Sequence, residues 1–278
     1  MDAKYKYSGI EWIGEIPNNW SVKRLKDVAL IKSSNVDKKT NDGEIPVQLC
    51  NYVDVYKNDF ITSDIDFMNA TATQDEIEKF LIKKDDILIT KDSESWDDIA
   101  IPAYIYENID NLICGYHLSL IRPNKNFIFG KYLFWSFCAQ SINVQFIIAA
   151  TGITRYGIGR KSIDCSLFVI PEMEEQKLIV KFLDKTCDSI DKAVELKQKQ
   201  IEKLDDLRKS IIHNAVTKGL DASVEMKDSD IEWLGKIPKN WKYYRIKDIA
   251  NISPSFSEGK PENNEICTVV PMENVSEI

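Results

Sequence analysis

Residues 8–20 read SGIEWIGEIPNNW, and residues 229–241 read SDIEWLGKIPKNW. Extended to 8–29 and 229–250, the two stretches align without a gap and are identical at 13 of 22 positions. Most differences keep their character: Ile13/Leu234, Leu25/Ile246, Val28/Ile249. A period of 221 residues is too long for a solenoid. It fits duplication of a whole domain plus a connector. Pro17 and Pro238 fix φ and disfavour helix in the residue before them. Trp12, Ile13, Ile16 and Trp20 supply a large apolar surface to clamp onto the body of a domain. Val22, Leu25, Val28 and Ala29 then have the spacing of a short amphipathic element.

Between the copies, the segment 44–122 reads mainly as strands. EIPVQL, DDILIT, AIPAYIY and LICGYHLSLIRP are β-branched or alternating runs set among turn residues. Thr73 and Glu76 form a capping box for a short helix. Residues 130–149 read as one mostly buried helix, with Phe134, Phe137 and Phe146 as core. TGITRYGIGRKS follows as a glycine-punctuated loop with three cations, and SLFVIPE closes the domain as a last strand.

From Glu172 to Val216 there is no proline or glycine. Leu183, Ile190, Leu204 and Ile211 share one heptad position, interrupted by Lys197. Val194, Ile201 and Ala215 share the other, with Cys187 and Arg208. This is a coiled-coil seam with a few polar positions that set register. Such a helix is about 65 Å long and ends at Lys218-Gly219, a cation before a left-handed cap. Its apolar stripe needs cover, because each buried Leu or Ile contributes roughly 1.5–3 kcal/mol. No second long heptad helix follows residue 219. A second copy, another subunit or a further part of a longer chain would supply the cover, the alternative being that the seam packs back on its own domain.

Composition narrows the class. The chain has 278 residues, 44% of them hydrophobic and 29% charged, the balance of a folded globular protein. No apolar run of membrane-spanning length is present, and the N-terminus carries no secretory signal pattern. The six cysteines form no CxxC pair, and two histidines leave little for a zinc cluster. Scattered thiols in such a chain point to a reducing, cytoplasmic setting. The net charge of −8 argues against coating nucleic acid through bulk charge, but not against a local basic face. Catalytic signatures are missing. Glu-x-Lys recurs at Glu175, Glu195, Glu225 and Glu258 as background in a chain rich in both residues. There is no glycine-rich methyl-donor loop, no P-loop and no Ser-His-Asp set.

The order of these parts resembles the specificity subunit of type I restriction-modification systems. The resemblance is carried by GIEWIGEIPNNWSVKRLKDV, DDILIT, TGITRYGI, the junction IPEMEEQKLIVKFLD, IEKLDDLRKSIIHNAVTKGLD and the second EWLGKIPKNW. It implies an α+β fold: a strand-rich target recognition domain (1–171), a long spacer helix (172–219) and the incomplete start of a second recognition domain (220–278). It also implies a non-catalytic role in reading one half of a split site on double-stranded DNA. The long helix would act as spacer and as docking surface for two modification (methyltransferase) subunits, with the restriction subunit joining through the complex. The subunit itself would hold no cofactor, with S-adenosylmethionine and ATP on those partners. A full member continues through a second domain and helix. A half-subunit would instead form an antiparallel homodimer through 180–216, paired along Leu183, Ile190, Val194, Ile201, Leu204 and Ile211. The alternative is a coiled-coil assembly protein that reads no DNA.

Three loops are candidates for DNA contact. Around Thr151–Ser162, Arg155, Arg160 and Lys161 are cationic and three glycines let the backbone approach closely. Arginine grips guanine with two hydrogen bonds, and Tyr156 can stack or bond a phosphate. Lys91, Ser93, Ser95 and Trp96 lie where the strand DDILIT opens into a polar loop. Asn51 and Tyr52 form the third, and Asn51-Tyr52-Val53 is faintly echoed by Glu273-Asn274-Val275. His117 reads as a satisfied core residue and His213 as outward-facing on the long helix.

Overall fold

A computed structural model describes residues 4–250; the Glu273–Val275 echo and Glu258 lie outside them. The chain divides into two compact units, Met1–Ala193 and Val194–Ile278.

The first unit is built on a five-stranded sheet. Its spatial order is Ala29–Ser33, Leu118–Pro123, Ile87–Thr90, Pro102–Ile105, Phe60–Ile61, antiparallel except for the last pair. The central DDILIT strand is buried along its whole length. Side chains alternate across a strand, so Ile87 and Ile89 enter one core with Ile31 and Ile121. Leu88 enters the other with Leu118 and Leu120. Burial on both faces explains an unbroken apolar run in an antiparallel setting. The second core is closed by a three-stranded sheet of Leu112–Cys114, Ile45–Cys50 and Met68–Ala72.

Three local expectations need correction. The Val22–Ala29 element is not one amphipathic piece. Ser21–Arg24 is a strand paired with Leu167–Ile170, Leu25–Val28 is a single helical turn, and Ala29–Ser33 joins the main sheet. Available strand partners override the helical spacing there. Residues 130–149 form two helices, Gly130–Cys138 and Gln140–Ala149, bent by 70° at an extended Ala139. The bend lets Phe137 stack on Phe146, 5.5 Å between ring centroids, and both pack into the same core. The run LICGYHLSLIRP is interrupted at Gly115, where a Cβ would lie 2.8 Å from the Cys50 carbonyl oxygen. His117 therefore sits in a turn between two strands, half-buried, rather than inside a strand. Among the described residues no single helix is long and apolar enough to cross a membrane.

The long helix is Met173–Lys218. Gln176, Val180 and Asp184, four apart and hence on one face, hold its first turns. Gln176 is fully buried: its side chain accepts the Phe129 N–H (2.7 Å) and donates to the carbonyls of Pro171 (2.9 Å) and Phe127 (3.2 Å). Asp184 accepts from Lys131 Nζ (2.8 Å) and Trp135 Nε1 (2.9 Å).

The second unit contains the rest of that helix and the hairpin Met226–Asp228/Lys236–Pro238. This hairpin reproduces Tyr5–Tyr7/Glu15–Pro17 rung for rung, Met226↔Pro238 matching Tyr5↔Pro17. Ser8 N–H donates to the Gly14 carbonyl (2.9 Å) as Ser229 N–H does to Gly235 (3.0 Å). Left-handed backbone at Gly14 (φ 71°) recurs at Gly235 (φ 66°). The identical residues thus include those that fix the turn, together with a buried Ile16 or Ile237. Trp12 and its counterpart Trp233 are exposed, so the clamp is made by the isoleucines rather than by these tryptophans. Gly219 (φ 76°) ends the long helix, packed against Trp241 and Pro238.

Candidate nucleic-acid interface

The segment TGITRYG is a hairpin rather than a loop. Thr151–Gly152 pairs with Tyr156–Gly157, which pairs in turn with Asp92–Ser93 at the end of the DDILIT strand. This small sheet brings two of the candidate loops side by side. The Arg155 guanidinium donates to Asp92 Oδ1 (2.9 Å), and Asp92 Oδ2 lies 2.7 Å from His117 Nδ1. The His117 ring lies against Tyr116, 3.6 Å between centroids, and edge-on to Tyr52 at 6.5 Å.

The third candidate region joins through its helix, Tyr52–Lys57. The Asn51 N–H donates to Asp54 Oδ2 (2.7 Å), starting the helix. Tyr52 and Tyr56 then stack one turn apart, centroids 5.5 Å and planes at 15°. The Tyr56 hydroxyl donates to Asp98 (2.8 Å). Burial pushes the Tyr52 phenol up from its ordinary value. A cleft of about 410 Å³ opens between these elements, lined by Tyr52, Tyr56, Ser93, Glu94, Ser95, Asp98 and Arg155. Three segments far apart in sequence therefore meet around one concavity.

Of the sequence candidates, Tyr52, Ser93, Ser95 and Arg155 line this cleft, and Trp96 is exposed on the same loop. Ser93 is buried at the cleft base and its hydroxyl accepts the Ser95 N–H (3.3 Å). Tyr156 is half-buried in the hairpin, and Lys161 is exposed on the helix Arg160–Asp164. Others also bond to the framework of the domain. Lys91 Nζ donates to the Ser34 carbonyl (2.8 Å), and burial lowers its pKa. Arg160 donates to the Ile31 carbonyl (3.0 Å) and lies 3.5 Å from Asp164. Asn51 starts its helix. Sequence reading missed Tyr56, Asp92, Glu94, Asp98 and His117. Only Tyr56 carried a local signal, four residues after Tyr52 on a helix begun by an Asn-x-x-Asp box. Among the described residues no group of three or more His, Cys, Asp or Glu is placed to hold a metal ion.

Gly152 sets the hairpin. Its φ is +151°, and a Cβ there would lie 1.9 Å from the Arg155 carbonyl oxygen. Gly152→Ala is expected to open the tip and displace Arg155 while the two cores remain intact. Hydrogen exchange should show lost protection confined to 151–157, with the melting temperature lowered by about 2–12 °C for about 1–3 kcal/mol of local strain.

A second surface lies along the long helix. Ile190, Val194, Ile201, Leu204 and Ile211 are each more than half exposed, and Leu183 is half-buried. The ion pairs Asp188–Lys192 (2.7 Å) and Glu195–Lys199 (2.5 Å) run acid before base at four-residue spacing, the favourable order on a solvent face.

The chain is thus an α+β head bearing a loop-built cleft, joined to a long helix with an uncovered apolar stripe. Residues 17–205 match the type I restriction modification DNA specificity domain, and the chain belongs to that family. It is 27% identical over 263 residues to the putative type I restriction enzyme MjaX specificity subunit of Methanocaldococcus jannaschii, covering 91% of this chain and 59% of that protein. It is 24% identical over 238 residues to the type I restriction enzyme MjaVIII specificity subunit of the same organism, covering 85% and 50%. The chain therefore spans about half the length of the curated relatives it matches. In fold it is similar to a chain of a type I restriction-modification complex solved to explain its assembly and conformational transition. The TM-score is 0.59 at 16% identity, covering 78% of this chain and 49% of the other.

Proposed function

We propose that this chain is a non-catalytic, sequence-reading DNA-recognition subunit. It directs modification (methyltransferase) subunits, and through them the restriction subunit, to one half of a split target. The observation that carries this reading is the convergence of residues 52–56, 93–98 and 155 on one cleft at the end of the central sheet. Base edges differ in donors and acceptors, and Tyr, Ser, Asp, Glu and Arg can read them. The acidic side chains Glu94 and Asp98 suit base amino groups and repel phosphates. A chain of charge −8 would leave most backbone neutralisation to its partners. S-adenosylmethionine and ATP would lie on those partners.

The helix acts as spacer and docking rod. Its stripe pairs antiparallel with a matching helix, and two copies of this chain can satisfy each other in this way. A two-fold pair would read a palindromic split site. Sedimentation of the chain alone at micromolar concentration tests the pair, and a stable monomer removes it.

Co-expression with the type I methyltransferase subunit of the same genome, followed by mapping of methylated sites, tests the function. Co-purification and one bipartite motif are expected, and a methylation pattern unchanged by omitting this chain would refute the reading. Within that complex, Arg155→Ala should weaken specific binding by about 1–3 kcal/mol. An equal loss on every duplex would make Arg155 a phosphate anchor instead.

A further inference from the structure

The hairpin tip Ile153-Thr154-Arg155 carries a group that the cleft does not use. Ile153 is 92% exposed. Turn positions favour Gly, Asn, Asp and Pro for backbone reasons, and a β-branched hydrocarbon held in water gains nothing from the fold. Nor is the tip loose. Tyr156 and Gly157 are paired to Ser93 and Asp92, and Ile158 N–H donates to the Lys91 carbonyl (2.9 Å). Arg155 is tied to Asp92, and Gly152 lets the turn close against the Arg155 carbonyl. The result is a fixed two-stranded ribbon with a hydrocarbon apex and a guanidinium two residues away.

A two-stranded ribbon fits the major groove, about 12 Å wide. In that groove thymine presents a methyl group on its edge, and guanine presents the acceptor pair that suits arginine. We propose that Ile153 is a specificity residue that recognises thymine by packing against its C5 methyl, close to a guanine held by Arg155. The inference rests on the DNA-reading function proposed above.

The test uses the chain in complex with its methyltransferase subunit and duplexes carrying the mapped target. Thymines are replaced by deoxyuridine one at a time, which removes only the methyl. At one position the wild-type complex should bind about fourfold more weakly, the worth of one buried methyl group. Ile153→Ala should weaken the unmodified target by a similar factor or more and become insensitive at that position alone. Ile153→Val should keep part of the sensitivity. A surface tip tolerates both changes without unfolding. If Ile153→Ala keeps the full wild-type uracil profile, the inference falls while target reading stands. If it binds all duplexes normally but loses the methyltransferase subunit, the tip is a protein contact and the inference falls. A wild-type complex that binds scrambled duplex as tightly as target removes the DNA-reading function, and this inference with it.

Discussion

Ile201→Glu together with Leu204→Glu is expected to abolish association through the long helix. Both residues are more than half exposed on the isolated chain, so the double variant should fold as the wild type does. In a paired seam each contributes roughly 1.5–3 kcal/mol by leaving water. Placing carboxylates there adds a desolvation cost. The combined loss of at least about 4 kcal/mol corresponds to a thousandfold or more in Kd. Sedimentation of the chain alone, and pull-down with the methyltransferase subunit, read the two kinds of partner separately. Lys199→Ala is the control. It removes an exposed Glu195–Lys199 pair of a kind that contributes about 0–1 kcal/mol, and should change neither readout. Unchanged assembly in the double variant would mean that partners bind elsewhere.

The sequence pattern reveals this stripe because a helix without proline or glycine keeps its period over many turns. The repeat is legible for a different reason. Ser8/Ser229 and Gly14/Gly235 set the same turn, and that turn needs those residue types. The strand DDILIT is legible because burial on both faces demands an unbroken apolar run. The bend at Ala139 is not: an apolar segment without a breaker scores as one helix, and only packing of Phe137 on Phe146 decides otherwise. The cleft is half legible. Arg155, Ser93 and Tyr52 stand out locally as polar or aromatic residues near strand ends. Asp92 joins Arg155 across 63 positions and His117 across 25, separations that no local pattern encodes. Lys91 and Arg160 also bond backbone of their own domain, at the Ser34 and Ile31 carbonyls, contacts that no local pattern encodes. Ile153 went unremarked because an isolated apolar residue is ordinary in a sequence. Its meaning comes from standing at the apex of a pinned hairpin.

Gln176→Leu is expected to loosen the root of the long helix. Gln176 lies in the junction IPEMEEQK, where the sequence offers only a polar residue in the first turn of a helix. In the fold it is fully buried and joins two backbone stretches, at Phe127 and Phe129 and at Pro171. Leucine has similar bulk, so the change removes hydrogen bonds without opening a cavity. It leaves the Phe129 N–H and the Pro171 carbonyl without their partner, at about 1–3 kcal/mol for each orphaned buried group. A total near 3 kcal/mol should lower the melting temperature by about 6–12 °C. A shift below about 1 °C would show that water replaces the lost partners. Gln176→Glu separates hydrogen bonding from volume. It retains the acceptor for Phe129 but turns a carboxylate toward two carbonyl oxygens, and burial would raise its pKa in the folded state. A folded-state pKa above the unfolded value means that the folded chain binds more protons between the two. The stability deficit should then shrink as pH falls through the folded pKa, as the protonated carboxyl regains a donor. The leucine variant has no such group, so its deficit relative to wild type should stay flat over the same interval. That contrast assigns the anchoring to the amide's donors rather than to its shape.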